Sequence, residues 1–492
     1  MTMMNGNNVT YEYVQPEAQY EGINLREKKI VDAQYIDTEV YSGNPYIEAL
    51  PFPKLTTGEI SIAYNSVPKL PAYDKFMEMP QFKQKMYLDQ LSSIRIALPF
   101  HKDLEEKFYR TLTESYSMRR ECRVAAVAEV DGEPYEIKTG LCADHPGEAV
   151  IGFSMLGVTG TGKSTAIGKT LDHIPQLIRH HFGKRTVIQI VYLVINCEGC
   201  RNFSALYQSI GRQIDTVLNN GNDYYELAVK REKTLGQKSM KIRELIRNFN
   251  IGCLILDEIQ NIDLTSTNEN SIEAILTINN DSHVGIGVLG TEEAFEAIFS
   301  RERVARRLSD YIGAGRYCES WNTCSKIDNS LFSACTLFET PIVPDDDVIR
   351  AFQEESGGVI SYIVELFSEV VKGYFSKKSR PEINAEFVHK IASTKMKIIH
   401  DIKKRQKSFD AAEIKRNALV KAMNNYDYDP AKRQADDEFI LDDRSANVLP
   451  AITEVPDQSI VKNPQKPTKR KKKTNAVNKT IDEMLKSIEE RK

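Results

Sequence analysis

The stretch GVTGTGKST, from Gly157 to Thr165, fits the pattern Gly-x4-Gly-Lys-Ser/Thr of a phosphate-binding P-loop. An apolar run ending in SML (154–156) precedes it, and STAIGKTLDHIPQLIRHHF (164–182) reads as a helix after it. Glycines let the backbone turn its N–H groups toward phosphate oxygens, and the start of the following helix attracts an anion. The stretch therefore predicts a strand, a phosphate cradle and a helix.

Each polar residue of this loop has an expected task if the bound group is ATP with Mg²⁺. Lys163 should reach the β- and γ-phosphates, and the Ser164 hydroxyl should ligate Mg²⁺. Thr165 should lie near the α-phosphate. The whole cradle comprises Gly157, Val158, Thr159, Gly160, Thr161, Gly162, Lys163, Ser164 and Thr165.

A second motif, CLILDE (253–258), ends an apolar strand with two carboxylates and indicates a Walker-B pair. Asp257 is expected to hold Mg²⁺ through water, and Glu258 is expected to polarise the attacking water. Two carboxylates at one strand end favour activation of water rather than of a substrate hydroxyl. The pair therefore predicts an ATPase and argues against a nucleotide kinase.

Polar residues that could sense or complete such a site follow farther along the chain. HVGIGVLG (283–290) reads as another strand, and Thr291 follows it, between the expected tips of the P-loop and Walker-B strands. The helical stretch SRERVARRLSD (300–310) carries four arginines that could serve as a finger on a neighbouring subunit's ATP, or could form a solvated helix face. They are Arg301, Arg303, Arg306 and Arg307.

The central apolar runs are near-continuous, as expected of parallel strands buried on both faces in a doubly wound α/β core. They are AVIGFSML (149–156), TVIQIVYLVIN (186–196), IGCLILDE (251–258) and HVGIGVLG (283–290). The order of P-loop, Walker-B pair, polar strand end, arginines and helices is that of an AAA+ ATPase. No LSGGQ-like signature precedes Asp257, which disfavours an ABC ATPase.

Pattern changes along the chain divide it into five parts. Within the second of them, the stretch 83–120 reads as two helices broken near Pro99. The parts are an extended N-terminal arm (1–80), an N-terminal helical region (81–140), an AAA+ α/β core (141–325), a helical lid (326–404) and a charged, largely disordered tail (405–492).

The composition indicates the cellular compartment of the protein and the oxidation state of its cysteines. The 492 residues carry a net charge of −4, contain no apolar run of membrane-spanning length and begin without a secretory signal pattern. A cytoplasmic location with reduced thiols is therefore expected. Cys197 and Cys200 have CxxC spacing but lack a second ligand pair, so they are interpreted as ordinary cysteines of a turn.

The last part of the tail carries a strong excess of basic side chains. Residues 461–492 hold eleven basic and four acidic side chains, including the block Lys469–Lys473. Within TIDEMLKSIEERK (480–492), apolar side chains recur at helical spacing, which predicts a short helix that folds against a partner groove. Contact with nucleic-acid phosphates and a merely solubilising role are the alternatives.

Four stretches resemble the TnsC family of transposition regulators, relatives of TniB and more distantly of MuB. The resemblance covers roughly residues 40–400. The stretches are YSGNPYIEALP (41–51), LILDEIQNI (254–262), VLGTEEAFEAIFSRERVARR (288–307) and SGGVISYIVELF (356–367).

The resemblance implies an ATP-dependent matchmaker that assembles as a ring or helical filament on double-stranded DNA with little sequence preference. Its expected partners are a target selector of TnsD or TniQ type and transposase subunits of TnsA and TnsB type. Carried onto this chain, Thr291 becomes sensor 1, and Arg306 or Arg307 becomes the finger. The GGVIS turn (357–361) lacks the sensor-2 arginine of many AAA+ proteins, which leaves the contact between lid and nucleotide unassigned.

Two other classes stay open. One is a different AAA+ protein of DNA, such as a replication initiator or loader, and the other is a signalling NTPase that binds protein partners without DNA. The residues that would contact DNA are not identified by the sequence, and the loop NIDLTSTNEN (261–270) and the helix before the sensor-1 strand are positional expectations.

Overall fold

The computed structural model describes most of the first 396 residues. The expected tail, Arg301 and most of the loop 261–270 lie outside the described residues, and of Arg303 only the backbone is described. The described ranges are 2–4, 10–27, 30–144, 149–262, 272–291, 294, 298–299, 302–313, 321–376 and 379–396.

Strands and helices alternate through the middle of the chain, and helices alone follow. The strands are β1 (Thr2–Met4), β2 (Thr10–Glu12), β3 (Ile30–Asp32), β4 (Arg119–Val130), β5 (Glu133–Ala143), β6 (Phe153–Leu156), β7 (Leu177–Phe182), β8 (Arg185–Ile190), β9 (Tyr192–Asn196), β10 (Cys253–Asp257), β11 (Gly285–Gly290) and β12 (Asp310–Gly313). The helices are α1 (Pro45–Glu48), α2 (Thr57–Tyr64), α3 (Tyr73–Met77), α4 (Gln81–Gln90), α5 (Phe100–Ser117), α6 (Lys163–Leu171), α7 (Phe203–Leu218), α8 (Tyr224–Arg231), α9 (Leu235–Asn248), α10 (Ile272–Ser282), α11 (Glu302–Arg307), α12 (Trp321–Ala334), α13 (Asp346–Ser356), α14 (Ile360–Ser376) and α15 (Ala385–Lys395).

Five parallel strands form the central sheet in the spatial order β12-β6-β11-β10-β9. Nearly all residues of the three inner strands, β6, β11 and β10, are buried, as expected of parallel strands covered on both faces. The expected α/β fold with a parallel sheet is confirmed. The order places β11 between β6 and β10, so the chain segments after these three strands meet at one edge.

A smaller sheet, β3-β7-β8, corrects two expectations. The stretch expected as one helix over 164–182 stops at Leu171, and after Pro175 the chain turns into β7, which pairs with β8 through a tight turn. The run 186–196 is not one strand either. It divides at Val191, so that β8 lies in the small sheet and β9 in the central sheet.

The N-terminal part is packed against the core from about residue 13 onward and is not an extended arm. The motif NPYIEALP lies at its centre: Asn44 caps α1, and the Tyr46 ring stacks on the ring of Tyr116 in α5. The buried Glu48 carboxylate accepts hydrogen bonds from the Tyr13 hydroxyl and the Gly43 N–H, each at 2.8 Å. These long-range contacts bury side chains whose local pattern shows no periodicity.

A long antiparallel hairpin of β4 and β5 follows α5, in a region expected to be helical. The two expected helices before it are present as α4 and α5, on either side of Pro99. The hairpin also corrects the expectation that all thiols are reduced, because Cys122 and Cys142 form a disulfide across it. The turn between its strands is Asp131-Gly132, both with positive φ.

Helices α12 to α15 form a separate helical layer whose core is aromatic. Phe332 of α12 packs edge-on against Phe352 of α13 and Phe367 of α14. This layer begins at Trp321, slightly before the expected start of the lid at residue 326. Among the described helices, none combines the length and apolar character needed to cross a membrane.

Candidate functional site

The loop Gly157–Gly162 joins the end of β6 to the start of α6. Gly160 and Gly162 have φ of +88° and +87°, backbone conformations that L side chains rarely adopt. The Gly157 N–H donates to the carbonyl of Gly290 at 3.2 Å, which fixes the loop to the end of β11. These two glycines and the link to β11 give the loop the wrapped shape of a phosphate cradle.

Lys163 is the first residue of α6 and is almost fully buried. Its Nζ donates to the carbonyl oxygens of Gly157 and Val158, each at 2.9 Å. Ser164 and Thr165, by contrast, are exposed in the first turn, where backbone N–H groups have no partner within the helix. The loop therefore holds a cation at its centre and presents hydroxyls and N–H groups at its mouth.

The two carboxylates lie at the same edge of the sheet. Leu156 and Gly290 are paired residues of neighbouring strands, and Asp257 ends β10 on the other side of β11. Glu258, next in the chain, has a left-handed backbone with φ +55°, and its N–H donates to Asp257 Oδ1 at 2.9 Å. Neighbouring strands are about 4.8 Å apart, so the carboxylates stand about 10 Å from the β6 axis, within reach of a bound phosphate chain.

Thr291 lies immediately after β11, between the two motifs, as the sequence predicts. Its N–H donates to Gln260 Oε1 at 3.1 Å, and Gln260 Nε2 donates to the Glu258 carboxylate. The Thr291 hydroxyl is buried and has no hydrogen-bond partner within the described part of the chain. Gln260 was missed from sequence, where nothing distinguishes it from any polar turn residue.

The arginines of α11 lie far from the chain's own P-loop. The Arg307 carbonyl accepts from the Gly152 N–H, just before β6, whereas the P-loop follows the other end of that strand. The five residue steps from Gly152 to Gly157 span about 16 Å of extended chain. Arg306 is exposed at this opposite end. Neither Arg306 nor Arg307 therefore lies at the phosphate cradle of its own chain.

Beside the P-loop is a cavity of about 470 Å³ that the sequence did not reveal. Four segments far apart in the chain form its walls: Tyr64 of α2, the region 92–101, the P-loop with the start of α6, and one face of α14. Its apolar lining comprises Ile94, Ile96, Leu98, Ala166, Ile360 and Val364. A cavity of this size with apolar walls next to a phosphate cradle suits a nucleoside.

Helix α14 closes the cavity and contacts the P-loop directly. The Ser361 N–H donates to the Gly160 carbonyl at 3.2 Å. Farther along the helix, Lys372 pairs with Glu369 at 3.0 Å and with Asp89 of α4 at 3.1 Å. Ser361 thus joins the lid to the P-loop, whereas the contact between lid and nucleotide that a sensor-2 arginine makes in many AAA+ proteins stays unassigned.

A buried network of hydrogen-bonded polar side chains contacts α6. Glu105 accepts from the Tyr64 hydroxyl at 2.5 Å and contacts His173 Nε2 at 3.1 Å, and Tyr64 also bonds the Thr170 hydroxyl of α6. The His101 ring stacks on Tyr64, and burial lowers the pKa of His101 to about 3. Tyr64 and His101 therefore line the cavity at this point with a hydrogen-bonded hydroxyl and an uncharged imidazole.

The CxxC pair lies at the end of β9. Cys197 and Cys200 are buried free thiols in the short turn 197–199 and just after it. Burial raises the pKa of the Cys197 thiol, and the nearby carboxylates of Asp257 and Glu258 raise it further. A protonated buried thiol is a poor nucleophile and metal ligand.

Comparison with protein families identifies residues 154–298 as an AAA domain. These residues include the P-loop, the Walker-B pair and Thr291. The match confirms the fold class expected for the core, a P-loop NTPase domain of the AAA+ type. No curated protein matches the chain.

Several solved structures match parts of the chain at low identity. Cdc6p from Pyrobaculum aerophilum is 14% identical over 45% of this chain and 54% of its own, with a TM-score of 0.29. The Orc1 protein of Aeropyrum pernix in complex with DNA is 16% identical over 50% and 60%, with a TM-score of 0.33. The Thermotoga maritima RuvB Holliday junction branch migration motor is 13% identical over 50% and 63%, with a TM-score of 0.30. The chain therefore spans little more than half the length of these proteins, and the matches carry no inference about its substrate or partners.

Proposed function

We propose that this chain binds ATP with Mg²⁺ and hydrolyses it, and that the nucleotide controls its assembly on double-stranded DNA during transposition. One observation supports the ATPase activity above all. The P-loop, the carboxylate pair and Thr291 follow three adjacent parallel strands and so converge at one edge of the sheet.

Binding is assigned to the loop and the adjoining cavity. On binding, Lys163 Nζ would exchange the carbonyls of Gly157 and Val158 for β- and γ-phosphate oxygens, a stronger charge-assisted contact. The N–H groups at the start of α6 would face the phosphates. The nucleoside would lie against Ile96 and Val364 in the cavity.

The donor set at the sheet edge fits Mg²⁺. An exposed serine hydroxyl and an aspartate carboxylate are oxygen ligands of the kind this hard cation prefers, completed by water and phosphate oxygens. Ser164 would bind the ion directly and Asp257 through water. Bound Mg²⁺ would neutralise charge on the phosphate oxygens during hydrolysis.

Hydrolysis is assigned to the remaining groups. The Glu258 carboxylate would orient the attacking water and accept its proton as a general base. The Thr291 hydroxyl would contact the γ-phosphate or that water. Arg306 or Arg307 would act on the site of a neighbouring subunit, since both lie at the far end of β6 from their own P-loop. Such a trans contact couples ATP binding to assembly.

The roles in DNA binding and transposition are supported by the four stretches that resemble the TnsC family. In the structure, NPYIEALP anchors the N-terminal part to the core, and SGGVISYIVELF supplies the lid contact with the P-loop. The partners proposed are duplex DNA, a TnsD- or TniQ-type selector and TnsA- and TnsB-type subunits.

Retention of the chain on duplex DNA tests this role. The full-length chain is mixed with a duplex of arbitrary sequence and a non-hydrolysable ATP analogue, and the complex is followed by gel shift and electron microscopy. ATP-dependent assemblies that weaken with salt are expected. Normal nucleotide binding without retention on DNA would favour the signalling NTPase. DNA binding by the chain, combined with transposition that is unchanged in cells lacking the chain, would favour an initiator or loader.

A further inference from the structure

Among the described residues, Gln260 makes the one side-chain hydrogen bond that connects the turn after the Walker-B pair to Thr291. It lies in the short turn Ile259–Asn261 after the Walker-B pair. Its amide nitrogen donates to Glu258 Oε2, and its amide oxygen accepts the Thr291 N–H at 3.1 Å. A single amide thus spans from the expected base to the backbone of the expected sensor.

The surroundings of this amide leave it little freedom. A Cβ at Gly290 would meet Gln260 Oε1 at 2.9 Å and Ile259 Cγ2 at 2.7 Å, so the side chain lies directly over the end of β11. The backbone of Glu258 is also held in place, because its N–H donates to Asp257 Oδ1 and its carbonyl accepts from Asn261 Nδ2 at 3.0 Å. With the backbone fixed, the remaining freedom of Glu258 is that of its carboxylate, which is the group Gln260 holds.

We propose that Gln260 is a positioning residue that fixes the Glu258 carboxylate relative to Thr291 for hydrolysis. The inference rests on the proposed ATPase function. An amide suits this place because its two ends have opposite polarity: N–H donates to a carboxylate, and C=O accepts from a backbone N–H. A shift of Thr291 on contact with the γ-phosphate moves the Gln260 amide, and the Glu258 carboxylate moves with it.

The isosteric change Gln260→Glu separates positioning from packing. The new carboxylate keeps an acceptor for the Thr291 N–H and the same shape, but it offers Glu258 a like charge in place of a donor. Misplacement of a reacting group by about 1 Å lowers rates about 100-fold, so kcat is expected to fall about 10- to 100-fold. The affinity for ATP should change less than about twofold, because Gln260 contacts neither the P-loop nor the cavity lining.

The control is the same change at a glutamine outside the site, Gln208→Glu on α7, whose amide donates to the Ser204 hydroxyl at 3.4 Å and, in the described part of the chain, to no other group. Steady-state ATP hydrolysis and equilibrium binding of a fluorescent ATP analogue are measured for both variants and the unmodified chain. Unchanged kcat in Gln260→Glu, or an equal loss in Gln208→Glu, would overturn the proposal. A joint loss of kcat and nucleotide affinity would also overturn it, since that indicates general damage to the site.

A double-variant cycle shows whether Gln260 acts through Glu258. In a Glu258→Gln background the carboxylate is gone, so Gln260→Glu should reduce kcat no further than about twofold. Multiplied losses would mean that Gln260 acts independently of Glu258. Failure of the proposed function is distinguishable from failure of this inference, because in that case the unmodified chain itself would not hydrolyse ATP.

Discussion

Replacing Gly160 by alanine tests the contact between lid and P-loop quantitatively. At φ +88°, an alanine is strained by at least about 1–2 kcal/mol. Its Cβ would also approach Ser361 Oγ to 2.5 Å and Val359 Cγ1 to 3.2 Å, and overpacking of this kind costs about 1–3 kcal/mol more. Gly160→Ala should therefore lower the free energy of unfolding by about 2–5 kcal/mol.

The matched control is Gly162→Ala, which carries the same backbone strain without the clash. Gly162 has φ +87°, and the nearest lid atom to its Cβ would be Ile360 Cγ2 at 3.8 Å, an ordinary contact. Ser361→Gly removes the clashing hydroxyl but adds a helical glycine, so its effect is compared between backgrounds: it should be about 1–3 kcal/mol more favourable in the Gly160→Ala variant than in the unmodified chain, and no different in the Gly162→Ala variant.

Urea denaturation followed by circular dichroism gives the free energies of unfolding for the single and double variants. The reasoning is refuted if Gly160→Ala and Ser361→Gly add within about 0.5 kcal/mol, because independent sites behave in that way. It is also refuted if Gly162→Ala destabilises as much as Gly160→Ala.

Three further outcomes are expected. The free energy of unfolding should fall by about 2 kcal/mol for each of His101 and His180 when the pH falls from 7.5 to 5. Burial lowers their pKa values in the folded chain to about 3 and about 4, whereas the unfolded rings protonate near pH 6.5. Urea titrations at the two pH values check this, and His101→Gln should remove half of the change. Reduction of the disulfide between Cys122 and Cys142, which are 20 residues apart, should lower the free energy of unfolding by about 3 kcal/mol, and dithiothreitol should have no such effect on Cys122→Ser. Deletion of residues 461–492 should leave ATPase activity and DNA assembly nearly intact but abolish transposition in cells; lost DNA binding at moderate salt would instead identify the lysines as phosphate contacts, and normal transposition would contradict both readings.

The parts of the site that local sequence could predict are those built from consecutive residues. A P-loop is a strand, a glycine turn and a helix in one short stretch, so GVTGTGKST identifies the cradle without knowledge of the fold. Asp257 and Glu258 follow an apolar strand in the same local way. Their convergence with Thr291 also followed from the sequence, because parallel strands present their carboxyl ends at a common edge.

The hairpin β4–β5 carries a local signal in its sequence. Asp131-Gly132 lies between two runs of alternating character, which is a strong short-range sign of a hairpin turn. The strand β7 is different, because LIRHHF (177–182) fits helical and extended patterns equally well. Its pairing with β3 and β8 decides between them, and pairing is a tertiary effect.

The remaining features depend on contacts between distant parts of the chain. The cavity is formed by residues near 95, 165 and 364, which no local pattern relates to one another. Gln260 acquires its position from Gly290 and Thr291, thirty residues farther along. The burial of Tyr46 and Glu48 likewise depends on α5 and on the N-terminal segment, so composition alone suggested an arm.

Phosphate release from ATP by the full-length chain, measured together with ATP binding, tests the ATPase assignment most directly. The unmodified chain with Mg²⁺ is expected to bind and hydrolyse ATP. Lys163→Ala should lower the affinity for ATP about 100-fold or more, because the phosphates lose a charge-assisted contact to a buried cation. Glu258→Gln should bind ATP normally and release phosphate at least about 100-fold more slowly. Turnover by Glu258→Gln at the unmodified rate, or ATP binding that survives Lys163→Ala, would contradict the assignment of this edge of the sheet as the nucleotide site.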